Sequence, residues 1–289
     1  MGVTRWLRPL AWATLVSNIG IVLTGGAVRL TGSGLGCPTW PRCTDESYIP
    51  HGELDYHSAI EFGNRTLTFV LVAIALATLV AGWASRRRDI QTMVMLLFLG
   101  IPAQAVIGGI TVRTDLNPWI VAFHLLVSLA IIGLAVRLIL SLSGPLPERH
   151  GDKLTWLAWA TFAAAWAVLY AGTVVTGSGP HAGDEDAERT GLDPGTMSQV
   201  HADLVFLLVG LTIGLLIALL ATGARPGAVR AVGVLIAVEI AQGVVGFVQY
   251  ATDLPVLLVG LHLLGAALVS AAVTWTLLEV RHPRVPGPG

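Results

Sequence analysis

Charge is what this sequence has least of. Only 12% of its 289 residues are Asp, Glu, Lys or Arg, and 54% are hydrophobic, whereas soluble domains carry roughly one-quarter charged residues. With 17 basic against 18 acidic residues the formal net charge is −1. No basic or acidic tail stands out, so there is no electrostatic ground for binding nucleic acid. Cysteine is scarce too, with Cys37 and Cys43 alone. Five residues lie between them, which excludes a CxxC redox motif, and a zinc site would lack ligands. What remains is apolar, with a mean hydropathy of +0.73. The chain reads as an integral membrane protein, and its chemistry must reside in a few polar residues.

Crossing about 30 Å of hydrocarbon takes about 20 apolar residues in a helix. Polar, Gly and Pro breaks lay out eight such spans, at about 8–28, 58–83, 91–111, 119–141, 154–176, 198–221, 230–250 and 256–279. The N-terminal "MGVTRWLRPLAWATLVSNIGIVLTGGAV" has no small-x-small cleavage site after a short core and is expected to stay as the first span. Connecting segments alternate between two sides. One holds twelve of the 17 Lys and Arg, counting Arg137 by snorkelling, and leaves Arg29, Arg42, Arg65, Arg113 and Arg189 for the other. The positive-inside bias makes the first side cytoplasmic, with both termini there. Two long acidic loops, 29–56 and 177–197, then lie outside.

The halves repeat. "AQAVIGGITVRTDLNPWIVAFHLLVSLA" (103–130) and "AQGVVGFVQYATDLPVLLVGLHLLGAALVS" (241–270) share Ala-Gln, Thr-Asp-Leu and His-Leu-Leu in one register. "LTGGAVRLTGSG" (23–34) and "YAGTVVTGSG" (170–179) repeat more loosely. Four spans followed by four give a parallel repeat. The expected fold is all-α: eight transmembrane helices in two four-helix bundles, residues 1–145 and 146–289, each with a core able to take a ligand.

Of the eight histidines, His51, His150, His181 and His282 fall in loops and read as solvated. His124 and His262 occupy matching positions inside the fourth and eighth spans, and His201 stands at similar depth in the sixth. A buried imidazole in a membrane must find a partner, either a hydrogen bond to another helix or a metal. The repeat favours the metal, because imidazoles on facing helices of a four-helix bundle are a usual axial ligation of haem. His201 and His262 make a complete pair. His201 stands 41 residues before Gln242, and counting back about as far from Gln104 lands on Asn64, 40 residues away, so His124 has an amide where an imidazole is expected. An amide is a poor ligand for haem iron. That first-half site is expected to be five-coordinate, open, or ligated from elsewhere.

The mouth of the second span, "HSAIEFGNR" (57–65), surrounds this gap. His57, Glu61 and Asn64 share one helical face. His57 reaches in as the missing ligand if its lead-in is flexible, and sits too far out if it is rigidly helical. Glu61 is a candidate functional carboxylate, with an ion pair to Arg65 as the alternative. Glu239, in the seventh span, matches Ile101 in the first half and is expected to be a hydrogen-bonded structural group. Arg29, Arg65 and Arg113 either clamp haem propionates or anchor lipid head groups. Cys37 and Cys43, in "GLGCPTWPRCTDE" on the outer, oxidising side, read as a short-loop disulfide held by Pro38 and Pro41. It would stabilise little through chain entropy and is better suited to shaping a lid over the first-half site.

With "GGAVRLTGSGLGCPTWPRC" leaving the first span, Glu61 at the head of the second, and "FHLL", "VHAD" and "LHLL" carrying the histidines, nearly the whole chain resembles heme A synthase. On the second span the family reads Glu-x-x-His-Arg. Here "EFGNR" keeps Glu61 and Arg65 and departs at Asn64. The resemblance implies an oxidoreductase of haem A biosynthesis in a bacterial inner membrane, converting a methyl group of haem O to a formyl group by successive hydroxylations. It implies a resident haem b on His201 and His262, and haem O as substrate in the first half with His124 as iron ligand. Glu61 would handle a proton or stabilise charge at the reacting carbon. The haem O-producing enzyme and an electron donor would be its partners. A di-haem b-type electron carrier would use the same histidines but wants two complete pairs. A repeat-built transporter explains Glu61 and Glu239 but not the matched His124 and His262.

Overall fold

The computed structural model describes residues 4–50, 56–144 and 152–281. His51, His150 and His282, and the expected boundary between the halves, lie outside the described residues. A 3-10 turn at Thr4–Trp6 leads into α1 (Leu7–Leu30), followed by α2 (Tyr56–Trp83), α3 (Arg88–Arg113), α4 (Pro118–Ser141), α5 (Lys153–Ser178), α6 (Pro194–Ala221), α7 (Pro226–Ala251) and α8 (Val256–Val280). All eight are long and apolar enough to cross a membrane, and no strand occurs among the described residues.

Most of the helices overrun the expected spans, and at α4, α5 and α6 a capping side chain marks the start. α6 starts four residues early: Pro194 takes the first position and the Asp193 carboxylate accepts the N–H and the hydroxyl of Thr196, each at 2.7 Å. Those two bonds hold the Asp193 carboxyl below the usual carboxylate range. Asp152 caps α5 through the Thr155 N–H at 2.8 Å, and Asn117 caps α4 ahead of Pro118. α2 begins at Tyr56, so His57 is its second residue and not a residue just outside it.

α1 packs on α2 and α4, α2 on α3, and α3 on α4. α5 packs on α6 and α8, and α7 on both α6 and α8. The two groups meet where α8 packs on α1, α4 and α5 and where α4 packs on α5. The main apolar core follows that seam, with Leu129, Ile132 and Leu138 of α4 against Ala267 and Val273 of α8. Lipid is as apolar as these side chains, so close approach and interhelical hydrogen bonds do the holding. The Ser270 hydroxyl donates to the Leu129 carbonyl at 2.7 Å, and a methyl group on Gly26 of α1 would collide with Leu263 of α8.

The loops 31–50, 114–117, 179–193 and 252–255 gather at one end. The Gly34 N–H donates to the Gly183 carbonyl at 2.8 Å, Leu116 packs with Ala182 and Ala187, and His181 Nε2 meets the Leu254 carbonyl at 2.9 Å. Both Thr-Asp-Leu turns place two consecutive residues in the left-handed region, Asp115 and Leu116 (φ 49° and 58°) and Asp253 and Leu254 (φ 58° and 58°). The shared sequence thus carries one backbone conformation at both sites.

Candidate functional site

Three imidazoles project from α4, α6 and α8 within two turns of the loop end. His201 and His262 face one another with ring centres 6.4 Å apart and planes at 75°. In His124, His201 and His262 alike, Nδ1 is buried and makes no hydrogen bond. Orphaned imidazole nitrogens are costly in an apolar interior. Two imidazole nitrogens each about 2 Å from one metal place their ring centres about 6 Å apart. The His201–His262 pair therefore fits an iron porphyrin by its spacing, its donor type and its unused polar atoms.

Among the described residues His124 has no comparable imidazole partner. Of the other described histidines, His57 bonds Ser33 Oγ through Nδ1 at 3.0 Å and His181 bonds the Leu254 carbonyl. His57 is thus helical, as the second residue of α2, and tethered to the α1 exit. Asn64 lies in the third turn of α2, and its Oδ1 accepts the Thr24 hydroxyl at 2.8 Å. Its amide thus ties α2 to α1. Gln104 secures the backbone below the His124 ring by donating to the His124 carbonyl at 3.1 Å and to the Ser128 hydroxyl.

Above this half, the disulfide Cys37–Cys43 closes a small ring, both sulfur-bearing residues being buried. Glu61 and Arg65, one helical turn apart on α2, hold it down. One Glu61 oxygen accepts Arg65 Nη2 at 2.5 Å and Nε at 3.0 Å, and the other accepts the Cys37 N–H at 2.5 Å. Arg65 also donates to the carbonyls of Cys37 (2.8 Å), Thr39 (3.0 Å) and Arg42 (3.1 Å). A guanidinium has five N–H donors, and these five bonds use them all. Arg65 therefore has no donor left for a propionate, and the loop takes its place. Trp40, inside the ring, packs so closely on α3 that a methyl group on Gly109 would strike its indole.

The remaining arginines divide. Arg29, at the end of α1, donates to the carbonyls of His181 (2.7 Å) and Thr176 (3.1 Å), which fastens α1 to the 179–193 segment. Arg113 is exposed and lines an open cavity of about 310 Å³ beside Trp40 and Arg42. Glu239 is buried in mid-helix, where its Oε1 accepts the Thr212 hydroxyl of α6 at 2.9 Å and its Oε2 has no partner among the described residues. Glu239→Gln is expected to leave the melting temperature and haem content unchanged, because the amide keeps that bond, whereas Glu239→Lys should lower both. Thermal unfolding in detergent checks this. The sequence gives no direct sign of the glycines that face the three imidazoles, Gly108, Gly172 and Gly246, although Gly108 and Gly246 each follow the repeated Gln104 and Gln242 by one turn.

The constellation of a buried histidine pair, a lone histidine and a latched disulfide loop coincides with a match of residues 8–183 to the family model COX15-CtaA, cytochrome oxidase assembly protein. The chain belongs to this family. The match takes in Glu61, Arg65, both cysteines and His124, while His201 and His262 lie beyond it. Among relatives, the heme A synthase of Lysinibacillus sphaericus (strain C3-41) is 33% identical over 184 residues, covering 59% of this chain and 58% of that protein. That of Geobacillus thermodenitrificans is 32% identical over 106 residues, 36% of this chain and 32% of that protein. The Bacillus mycoides (strain KBAB4) enzyme is 26% identical over 180 residues, 59% and 57% of the two chains. The chain thus spans less than two thirds of the length of these relatives of the cytochrome oxidase assembly family.

Proposed function

We propose that this protein is a heme A synthase, an oxidoreductase that converts the methyl group of haem O to a formyl group for cytochrome oxidase assembly. The observation that carries this reading is the asymmetry of the histidines. One facing pair, His201 and His262, has the spacing for a bis-imidazole iron, while His124 stands alone beneath a disulfide loop.

On this reading residues 146–289 hold a resident haem b between His201 and His262, and residues 1–145 hold haem O with His124 on its iron. Resident haem b supplies one-electron redox chemistry when bound. His124 would hold the substrate's iron, while the Asn64 amide is engaged with the Thr24 hydroxyl. The disulfide loop, latched by Glu61 and Arg65, shuts the site from water on the loop side, which strengthens electrostatic interactions within it. Glu61 is the proton-handling carboxylate. Its Oε1 accepts both Arg65 bonds and its Oε2 accepts only the Cys37 N–H, so a lone pair on Oε2 is left to take a proton while the latch holds. The loop end faces away from the cytoplasm of a bacterial inner membrane, both termini are cytoplasmic, and the haem O-producing enzyme and an electron donor are the partners.

A di-haem carrier would need a second facing pair, and Asn64 and the tethered His57 do not supply one. The optical spectrum of the purified protein is the test. A Soret band with a low-spin signal is expected, and its absence from protein made in haem-replete cells would overturn the reading.

A further inference from the structure

The two imidazoles of the facing pair each rest on a glycine of the preceding helix. A methyl group on Gly172 of α5 would lie 3.2 Å from Cε1 and 3.6 Å from Nδ1 of His201, and one on Gly246 of α7 would lie 3.1 Å from Cε1 and 3.6 Å from Nδ1 of His262. Carbon atoms pack best at about 3.5–4.0 Å, so a Cβ at either position pushes the ring. The match is closer than shared proximity, since both rings turn the same Cε1–Nδ1 edge to the glycine and hold Nε2 farther off, at 3.9 and 4.0 Å. On His124 the edge is reversed: Nε2, at 3.7 Å, is the nitrogen nearest Gly108. Other glycines on these helices do not behave this way, and Gly243, one turn from Gly246 on α7, has nothing within 4 Å.

Helix propensity disfavours glycine in an interior position relative to alanine, so two glycines set against two rings are there for the space they leave. That space lets each imidazole lie on the backbone of the neighbouring helix. A ligating histidine is oriented by what its second nitrogen meets, most often a carbonyl or carboxylate.

We propose that Gly172 and Gly246 are positioning residues for the His201–His262 pair, setting the rotation of each ring and hence the near-perpendicular 75° between them. This rests on the reading that the pair ligates haem. The readout is spectroscopic, because the angle between axial imidazole planes governs the anisotropy of the low-spin ferric signal.

The test uses the full-length protein purified with its haem, compared with Gly172→Ala, Gly246→Ala and the control Gly243→Ala. The two ring-facing substitutions should shift the largest g value of the low-spin signal and the midpoint potential while haem content is kept, and Gly243→Ala should match the wild type. A ring-facing variant that loses haem but melts like haem-free wild type also supports positioning; one whose haem-free form unfolds at markedly lower temperature counts against it. Wild-type spectra in both ring-facing variants, or an equal shift in Gly243→Ala, would overturn the proposal. A wild-type protein with no low-spin haem signal would instead overturn the haem reading on which it rests.

Discussion

His262→Ala is expected to abolish the low-spin haem signal of the purified protein, and His124→Ala to leave most of it. The reason is geometric. His262 is half of a pair whose ring centres stand 6.4 Å apart, and removing it leaves His201 with one vacant side. Loss of an outer-shell partner alone costs a metal site about 10–100-fold in affinity, so loss of an axial ligand should cost more than that. His124 has no facing imidazole among the described residues and lies in the other group of helices, so its removal should lower retention of haem O without disturbing the pair. Haem content per protein and the low-spin signal, measured on both variants, decide the matter. Equal loss in both would contradict the division between resident and substrate haem. Imidazole added to His262→Ala should restore part of the signal, which separates a missing ligand from a misfolded helix.

The second large effect is expected at Arg65. Arg65→Ala strands the buried Glu61 carboxylate and the carbonyls of Cys37, Thr39 and Arg42 at once. Removing one partner of a buried pair costs about 3–5 kcal/mol. Arg65 is 22% exposed on its side chain, which puts the expected loss near the lower figure. Lysine is a poor replacement because its ammonium has three donors and no planar fork. The apolar double variant Glu61→Leu, Arg65→Leu should be more stable than Arg65→Leu alone, since it leaves no unpaired charge. Thermal unfolding in detergent gives the order, and protease nicking within 38–49 reports the loop directly. A double variant no more stable than the single one would show that Arg65 acts on the loop carbonyls alone. Activity separates the two roles of Glu61. Glu61→Gln, which keeps the carbonyl that accepts Cys37, should preserve the fold better than Glu61→Ala and still stop oxidation if the carboxylate moves a proton.

Much of this was legible before any coordinates. Eight apolar runs sufficient to cross hydrocarbon announce eight helices, and the common spacing of Gln104 to His124 and Gln242 to His262 announces paired imidazole positions. The helix ends were less legible, because capping, as by Asp193, extends helices into polar sequence that hydropathy assigns to loops. The Glu61–Arg65 pair could be read from its one-turn spacing, but the three loop carbonyls could not, since they converge only once Cys37 and Cys43 have closed the ring. Arg29 shows the same limit more sharply: its acceptors, Thr176 and His181, lie 147 and 152 residues away in the chain. No local pattern encodes such a contact. The ring-facing glycines escaped for a related reason, because a glycine's role is defined by what its missing side chain would have touched.

The most direct measurement is of the haems themselves. Protein produced in cells that also make haem O, then purified and extracted, should yield haem b together with haem A or its hydroxylated precursor, and the Glu61→Gln variant should yield haem b and unconverted haem O. Extraction of haem b and unconverted haem O from the wild type, with a reductant and oxygen supplied, would contradict the assignment of this chain as a heme A synthase.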